Sequence, residues 1–492
     1  MMTTYLVIGA VRIQQWITRS PRLALTRGAS LALTQRTSSQ YLHGRFASPL
    51  RLSEAVPEIA GVVVLESDED LDDSQVLNAM KVLGVELPGI EWTAWVAAAP
   101  SYIQAYRDTD GGQRGGRTYH LAPASRRLPM LVECEGCHEE SATVKRLLPD
   151  GKSHSYGEDC EIRRGFHEEE LKRLRAAYAA AGPDGNGATE ATQFDHLAHV
   201  EPRPEKGERD PRLHVMGRRD ADNHIALVAA DGNRIGDFFK AVADVGDAAV
   251  HTRLSKALDD ATRKACVEAR QKTERHMTKP QYYPDVIHYV GGDDVLASVA
   301  GRFAWIWAVA LGEAFERGFQ DEVERALAGV PAQQASAIRQ TAKAASLGIG
   351  MVFTQVKEPF ALAREFSGKA ESLAKRAGQG KRSVIAWADT TVDDRVLGGH
   401  HIGLAEASMQ LSEGHALSSL TSSARSTLTE LLRKTPSHMQ LDRIYEWASR
   451  TRNERIKDRL IRETDPDKGC VTLAADLDRA RWWPAAHLEE IR

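Results

Sequence analysis

Two short apolar runs, Val286–Val290 and Val295–Val299, are separated by nothing but Gly291-Gly292-Asp293-Asp294. Strand-like runs on either side of a Gly/Asp turn predict a β-hairpin with two aspartates at its tip. A third strand, His224–Ala230, stops at Asp231-Gly232-Asn233. Helices are expected over about 235–244 and 249–275, before the hairpin. After it come a long helix over about 302–328, with Trp305, Ala308, Leu311, Phe315 and Phe319 at helical spacing, and a strand, Leu347–Phe353. A helix over about 359–377 and a strand, Ser383–Trp387, complete the unit. The order is β-α-β-β-α-β with an extra helix, the split βαβ or ferredoxin-like arrangement. In such a sheet the first strand neighbours the central hairpin. Asp231, Asp293 and Asp294 therefore converge, although about 60 residues separate them in the chain.

Convergence of this kind constrains chemistry. Carboxylates a few ångströms apart repel unless a cation neutralises them, so the trio points to Mg²⁺ or Mn²⁺. Glycine on the hairpin allows a tight turn and lets a triphosphate approach the backbone. Two such ions can activate a ribose 3′-hydroxyl and stabilise a departing pyrophosphate. Asp and Gly also favour hairpin turns for conformational reasons alone, and the β-α-β-β-α-β placement is what argues against that reading. On the 359–377 helix, Leu362, Phe366, Ala370, Leu373 and Ala377 form one apolar stripe, leaving Lys369 and Lys375 off that face to meet β- and γ-phosphates. Competing nucleotide motifs are missing: neither G-x-x-x-x-G-K-[ST] nor a G-x-G-x-x-G after a strand occurs.

The rest of the chain frames this unit. At 492 residues it should hold about three domains. Hydrophobic residues make up 42%, enough to exclude global disorder. No stretch approaches the ~18 apolar residues that span a bilayer, and the N-terminus lacks a secretory pattern, so no membrane role and a cytoplasmic location are expected. Residues 5–8 read as a buried strand, followed by helices over about 11–18 and 22–40. A strand at 61–65, a helix over 73–83 and a strand at 90–97 suggest an earlier α/β layer. The boundaries are drawn at 1–125 (first layer), 126–181 (a cysteine-bearing segment and helix), 182–221 (a Pro- and charge-rich linker), 222–395 (the hairpin domain) and 396–492 (a helical bundle with no strand signal).

Charge is nearly balanced overall, at −4. Between Val11 and Ser53, however, stand seven arginines (Arg12, Arg19, Arg22, Arg27, Arg36, Arg45 and Arg51) and no Asp, Glu or Lys. Such a stretch suits an RNA backbone or a protein subunit; the plainer reading is a solvated helical face. Five cysteines in a chain of this size fit a reducing compartment. Cys134 and Cys137 have C-x₂-C spacing, and Cys160 supplies a third thiol. The fourth ligand of a structural zinc would be a histidine: His154, His138 or His167, with His154 favoured and His138 disfavoured by its adjacency to Cys137.

The runs VAADGNRIGDFF (228–239), VGGDDVLA (290–297) and SLGIGMVFTQVKEPFALAREFSGKAESLAKRAGQGKRSVIAW (346–387) resemble the palm domain of the CRISPR-associated polymerase-cyclase family, the large subunit of type III effector complexes. YLVIGAVRIQQWI (5–17) is similar to that family's first, catalytically dead palm, with Gly9-Ala10 where a carboxylate would stand. The resemblance implies an α+β multidomain chain: two ferredoxin-like palm domains, a small zinc-knuckle-like insert and a C-terminal helical bundle. It implies conversion of ATP to cyclic oligoadenylates, triggered by target RNA on a complex containing guide RNA and other backbone subunits. Asp231, Asp293 and Asp294 would be catalytic and hold Mg²⁺ or Mn²⁺. Gly232, Asn233, Gly291, Gly292 and Lys375 would contact the nucleotide. The family's zinc module has four cysteines, where this chain offers three. Many relatives carry a second aspartate where Asn233 stands, and a His-Asp nuclease domain often begins them. This chain has no His-Asp dipeptide, so cleavage of single-stranded DNA is not expected. Two other readings remain open: an RNA-binding scaffold with a decayed palm, and a free-standing cyclase making another cyclic nucleotide. GGDEF-type cyclases share the hairpin, but here Val-Leu follows Asp294.

Overall fold

Alternate residues of the first strand, β1 (Thr3–Val11), serve two cores: Leu6 and Ile8 enter one, Tyr5 and Val7 the other. This period of two is what an apolar run between two layers produces. The computed structural model describes the chain except residues 1, 55, 57–58, 110–114, 125, 148–150, 182–187, 202–222, 279, 392–399, 414–416, 418–419, 453, 463–470 and 484–492. After β1 come α1 (Ile13–Thr18), α2 (Leu23–Arg36), α3 (Ser39–Leu42), β2 (Arg51–Leu52), β3 (Val62–Ser67), α4 (Asp73–Glu86), β4 (Glu91–Ala99), α5 (Tyr102–Thr109) and β5 (Arg117–Leu121). The cysteine-bearing segment contributes β6 (Val144–Leu147), β7 (Ser153–Tyr156) and α6 (Glu158–Ala181), and α7 (Phe194–Ala198) follows. The second layered unit runs β8 (His224–Asn233), α8 (Ile235–Val245), α9 (Ala248–Glu274), β9 (Asp285–Gly291), β10 (Asp294–Ala300), α10 (Ala304–Ala326), α11 (Ala332–Ala344), β11 (Ser346–Gln355), α12 (Phe360–Gly378), β12 (Val384–Asp389), β13 (His401–Gly403) and α13 (Leu404–Glu413). Four further helices close the chain: α14 (Ser422–Lys434), α15 (Ser437–Arg450), α16 (Glu454–Arg462) and α17 (Val471–Trp482).

The first sheet is ordered β2-β3-β1-β4-β5 and the second β13-β12-β11-β8-β10-β9. Numbered within its own unit, each sheet has its first four strands in the order 4-1-3-2. Antiparallel pairing of β8 with both β10 and β11 puts β8 in the middle, where both its faces are covered. Ala226, Val228 and Ala230 face a core built with α8, α9 and α10. Ile225, Leu227 and Ala229 face one that continues into Leu6, Ile8 and Trp92 of the first unit. Each such Leu or Ile side chain contributes about 1.5–3 kcal/mol by leaving water. Local signals agree with this packing. Asp247 caps α9 by accepting from the Ala249 and Val250 amides, and Gly246, left-handed at φ 72°, ends α8. No helix among the described residues is long and apolar enough to cross a membrane.

Several expectations need correction. Residues 188–201, placed in the linker, are packed: Ala191, Phe194, Leu197 and Val200 are buried, and Phe194 stacks on Phe360 at 5.0 Å. The charged run that suggested a linker begins at Glu201 and from residue 202 lies outside the described residues. The C-terminal part is not a separate bundle throughout. β13 pairs with β12, α13 packs on α10, and Trp482 donates to the buried Asp389 of β12 at 2.7 Å. Leu362, expected in the apolar stripe of α12, is exposed; Phe360, Ala363 and Ala374 take that face with Phe366, Ala370 and Leu373.

The arginine stretch is the plainest departure. Arg12 pairs with Glu91 (3.1 Å), Arg19 with Asp159, Arg27 with Glu190 (3.4 Å), Arg36 and Arg45 with Glu86 (2.6 and 2.8 Å), and Arg51 with Glu66 (3.0 Å). Arg22 donates to the Tyr156 hydroxyl at 2.7 Å. A stretch without acids of its own finds them on α4, β3, β4, α6 and the 188–201 segment. Its forks tie those elements together, although Arg12, Arg45 and Arg51 remain well exposed.

Candidate metal centre

The register of the second sheet sets the site. Val295 of β10 lies opposite Ala230 of β8, so Asp294, one residue earlier, stands beside Asp231. On the other side Asp231 is opposite Gly348 of β11. Gly291 pairs with Asp294, leaving Gly292 and Asp293 as a two-residue connection in which Gly292 has φ 63°. Glycine adopts that conformation at the least cost. Arg263 of α9 donates to the Val290 carbonyl at 3.2 Å and holds the hairpin in place.

Asp293 leans over Gly232: a Cβ there would lie 2.5 Å from Asp293 Oδ2. From above, α12 closes the group. The Lys375 ammonium touches Asp231 and lies 3.7 Å from Glu371 Oε1. Burial, with Asp231 and Asp294 nearby, pushes the Asp293 carboxyl up to about 8. Burial with Asp231 and Glu371 pushes Asp294 up to about 7, although Lys375 and Arg364 pull the other way. Glu371 is raised by burial and Asp231. Burial would lower Lys375; contact with Asp231 and attraction from Glu371 and Asp293 outweigh it, so it is raised. Half-buried acids crowded together, with Asp293, Asp294 and Glu371 resisting ionisation, are a donor set suited to a hard divalent cation, which supplies the missing positive charge. The residues present fit Mg²⁺ or Mn²⁺.

Asp231, Asp293, Asp294, Gly232 and Lys375 are thus brought together as expected. Asn233 is not among them: it is buried and donates to Ser346 Oγ of β11 at 3.0 Å. At Gly291 the space beside the backbone is filled by the Tyr289 hydroxyl, while nothing but Leu258 comes within 4 Å of a Cβ at Gly292. Lys369 is exposed and bound to Glu365 at 2.6 Å, away from the acids. Sequence reasoning missed Glu371, Arg364 and Tyr289. The spacing of Glu371 one helical turn before Lys375 was a usable signal. A cleft of about 410 Å³ opens beside the centre, lined by Asp294, Tyr289 and Arg364 and, from the first unit, by Arg12, Gln14 and Gln15.

Residues 224–385, which carry this centre, match the family model described as Cas10/Cmr2, second palm domain. Over this domain, about a third of its length, the chain is similar to the Cas10/Cmr2 family. It is similar to the solved structure of Csm1 in T. onnurineus, at 13% identity over 98% of this chain and 70% of that one, with a TM-score of 0.48. Chains of a Csm1–Csm4 cassette are also similar. One, in complex with AMPPNP, shows 12% identity over 98% and 69% of the two chains at TM-score 0.47; another, with cA4, shows 13% over 99% and 69% at 0.45. No curated protein matches the chain.

A second candidate metal site is the cysteine cluster, which packs against Leu25 of the first unit. Sγ atoms of Cys134, Cys137 and Cys160 and a carboxylate oxygen of Glu140 all lie within 4.8 Å of one another, and all four residues are buried. The Gly136 amide donates to Cys134 Sγ at 3.3 Å and the Glu139 amide to Cys137 Sγ at 3.5 Å. Hydrogen bonds from Cys137 and Cys160 drive Cys134 towards thiolate. Three thiols and a carboxylate fit a tetrahedral Zn²⁺. The fourth position is therefore offered by Glu140 and not by a histidine. His154 lies 2.7 Å from Glu135 through Nδ1, His138 lies 2.8 Å from Glu133, and His167 is a buried residue of α6 whose pKa is lowered to about 4 by burial. Gly157 makes the room, since a Cβ there would collide with the Glu140 side chain. Glu140 also accepts from the Cys160 amide at 3.1 Å, at the start of α6. Cys266 is buried on α9, far in sequence from this group, and Cys470 lies outside the described residues.

Proposed function

We propose that the chain is the large subunit of a type III CRISPR effector complex and joins ATP into cyclic oligoadenylates. The observation that carries this reading is the convergence of Asp231, Asp293 and Asp294 under Lys375, within the residues that match the family palm. Solved neighbours are described with ATP, AMPPNP, cA3 and cA4, and Csm1 there is paired with Csm4. Divalent ions held by the three aspartates would activate a ribose 3′-hydroxyl and neutralise the departing pyrophosphate. The chain's own residues do the rest. Gly292 lets the phosphates approach the backbone. Lys375 leaves Asp231 for a phosphate as a point charge. Arg364 and Asp294 on one wall of the cleft, with Gln14 and Gln15 on the other, orient a second nucleotide against the first. Guide and target RNA, with other effector subunits, would supply the trigger.

The test is incubation of the purified chain, alone and in its effector complex, with labelled ATP and Mn²⁺, with and without target RNA. Cyclic oligoadenylates that need RNA are expected; a cyclic mono- or dinucleotide would favour a free-standing cyclase. No product under any RNA condition would favour a scaffold. The cysteine cluster is checked separately: elemental analysis should give about one zinc per chain, and Cys134→Ser should remove it.

A further inference from the structure

The Lys375 ammonium touches Asp231 and lies 3.7 Å from Glu371, so these two carboxylates already converge on one cation position. Glu371 reaches that position because α12 seats directly on β11. A Cβ at Gly350 would overlap the Glu371 backbone nitrogen, and one at Gly348 would lie 2.6 Å from Lys375 Cγ. An ordinary i,i+4 partner of a surface lysine would be solvated. The Glu371 side chain is only 15% exposed and interacts with Asp231, Asp294 and Arg364 as well. Asn233, at the end of β8, is turned away towards Ser346. Four carboxylates (Asp231, Asp293, Asp294 and Glu371) face two cations, Lys375 and Arg364, in a largely buried group. With all four ionised, two negative charges are left over inside it, which is costly unless protons or a divalent cation enter.

We propose that Glu371 is a metal ligand of this centre, supplying from α12 the carboxylate that Asn233 does not, and that Lys375 competes with the divalent cation for the position between Asp231 and Glu371. The proposal rests on the reading that Asp231, Asp293 and Asp294 hold divalent ions. Its consequence is an exchange: the ammonium yields its place to the metal and becomes available to phosphate. Metal and nucleotide binding then assist each other through one side chain. The same two residues would behave differently if Glu371 merely positioned Lys375. Removing the glutamate would then weaken nucleotide binding and leave metal binding alone.

The test is Mn²⁺ titration of the full chain, without nucleotide, followed by electron paramagnetic resonance of the free ion. Four variants are compared with wild type: Asp293→Ala/Asp294→Ala, Glu371→Gln, Glu371→Asp and Lys375→Met. The double alanine variant should lose the high-affinity Mn²⁺. Glu371→Gln should weaken it at least about tenfold, the lower end for damage to a metal site, with Glu371→Asp in between. Lys375→Met should tighten it, by about three- to tenfold, because a competing charge has gone. Opposite signs for the glutamate and the lysine are the signature. Wild-type Mn²⁺ affinity in Glu371→Gln, or weakened affinity in Lys375→Met, overturns the proposal while the double variant's loss leaves the three-aspartate reading standing. Unchanged binding in the double variant overturns both. If Glu371→Gln does not fold, as judged by thermal melting, the aspartate and methionine variants still decide.

Discussion

The two sheets carry the same 4-1-3-2 strand order, yet only the second brings Asp231, Asp293 and Asp294 together at its end. Their first strands can be laid over each other from the residue that follows them. Arg12 and Arg234 each adopt a left-handed conformation, at φ 55° and 64°, and each leads into a helix. Counting back, Gly9-Ala10 of β1 stand where Asp231-Gly232 of β8 stand. In the second sheet a two-residue connection holds Asp293 and Asp294 against β8. In the first sheet the corresponding strands, β2 and β3, are joined through residues 53–61, and β3 begins with valine. Strand order is thus indifferent to the site. What makes the site is one residue at the end of the first strand and the length of one hairpin. The first unit still contributes, because its Arg12, Gln14 and Gln15 help line the cleft beside Asp294.

The comparison breaks most readily at the hairpin. Asp293→Ala/Asp294→Ala should reduce oligoadenylate formation from labelled ATP at least about a thousandfold, the loss expected when a two-metal clamp is removed. The variant should still fold and should melt no lower than wild type, and adding Asp231→Ala should make matters no worse, since the three act as one unit. A double variant with undiminished product would show that the second sheet is no more catalytic than the first.

Gly232→Ala sharpens it, because it writes the first sheet's Ala10 into the second. The new methyl would lie 2.5 Å from Asp293 Oδ2 and 2.8 Å from Asp293 Cβ, so the carboxylate must move. A displacement of that kind should cost about a hundredfold in rate, measured by the same assay, with folding preserved. Unaltered activity would mean that Asp293 is not held where the structure puts it.

A smaller effect concerns stability. Asp293 and Asp294 have folded pKa values of about 8 and about 7, raised by burial and by neighbouring carboxylates above the unfolded value. Below pH ~3 both states are largely protonated and the pair has little effect. As pH rises towards 8 the unfolded chain ionises first, so the folded state loses stability across that window. Asp293→Asn/Asp294→Asn should therefore melt higher than wild type at pH 8 in chelator-containing buffer, with the gain shrinking at pH 5. Differential scanning calorimetry at the two values measures it. A gain larger at pH 5 would reverse the sign and refute the burial account.

The smallest change is expected in the first sheet. A Cβ on Gly9 meets nothing within 4 Å, so Gly9→Asp should fold, with melting shifted by less than about 0.5 kcal/mol. It should add no Mn²⁺ in paramagnetic resonance, since no hairpin aspartates face it. A new bound ion would show that one carboxylate suffices.

Much of this was legible from residues alone. Most of the strand–helix order follows from apolar periodicity, although β2, α5, β5, α11 and β13 were not read from it, and the hairpin follows from two runs that leave no room for a longer loop. Asp231 beside Asp294 then follows from topology, because antiparallel pairing of β8 with β10 permits little else. The seven arginines were visible, but not their partners. An arginine fork binds whatever acid the fold delivers, and Glu86, Asp159 and Glu190 lie far along the chain. Glu140 escaped for a similar reason: C-x₂-C spacing fixes two ligands, while the fourth depends on which side chain Gly157 leaves room for. So, too, with Glu371. Its place beside Asp231 comes from the close seating of α12 at Gly350, a contact between elements. Local sequence determines which way a strand or helix faces, since that is a matter of period and backbone conformation. Only the tertiary structure decides which charges meet, because burial and partnership are properties of packed neighbours.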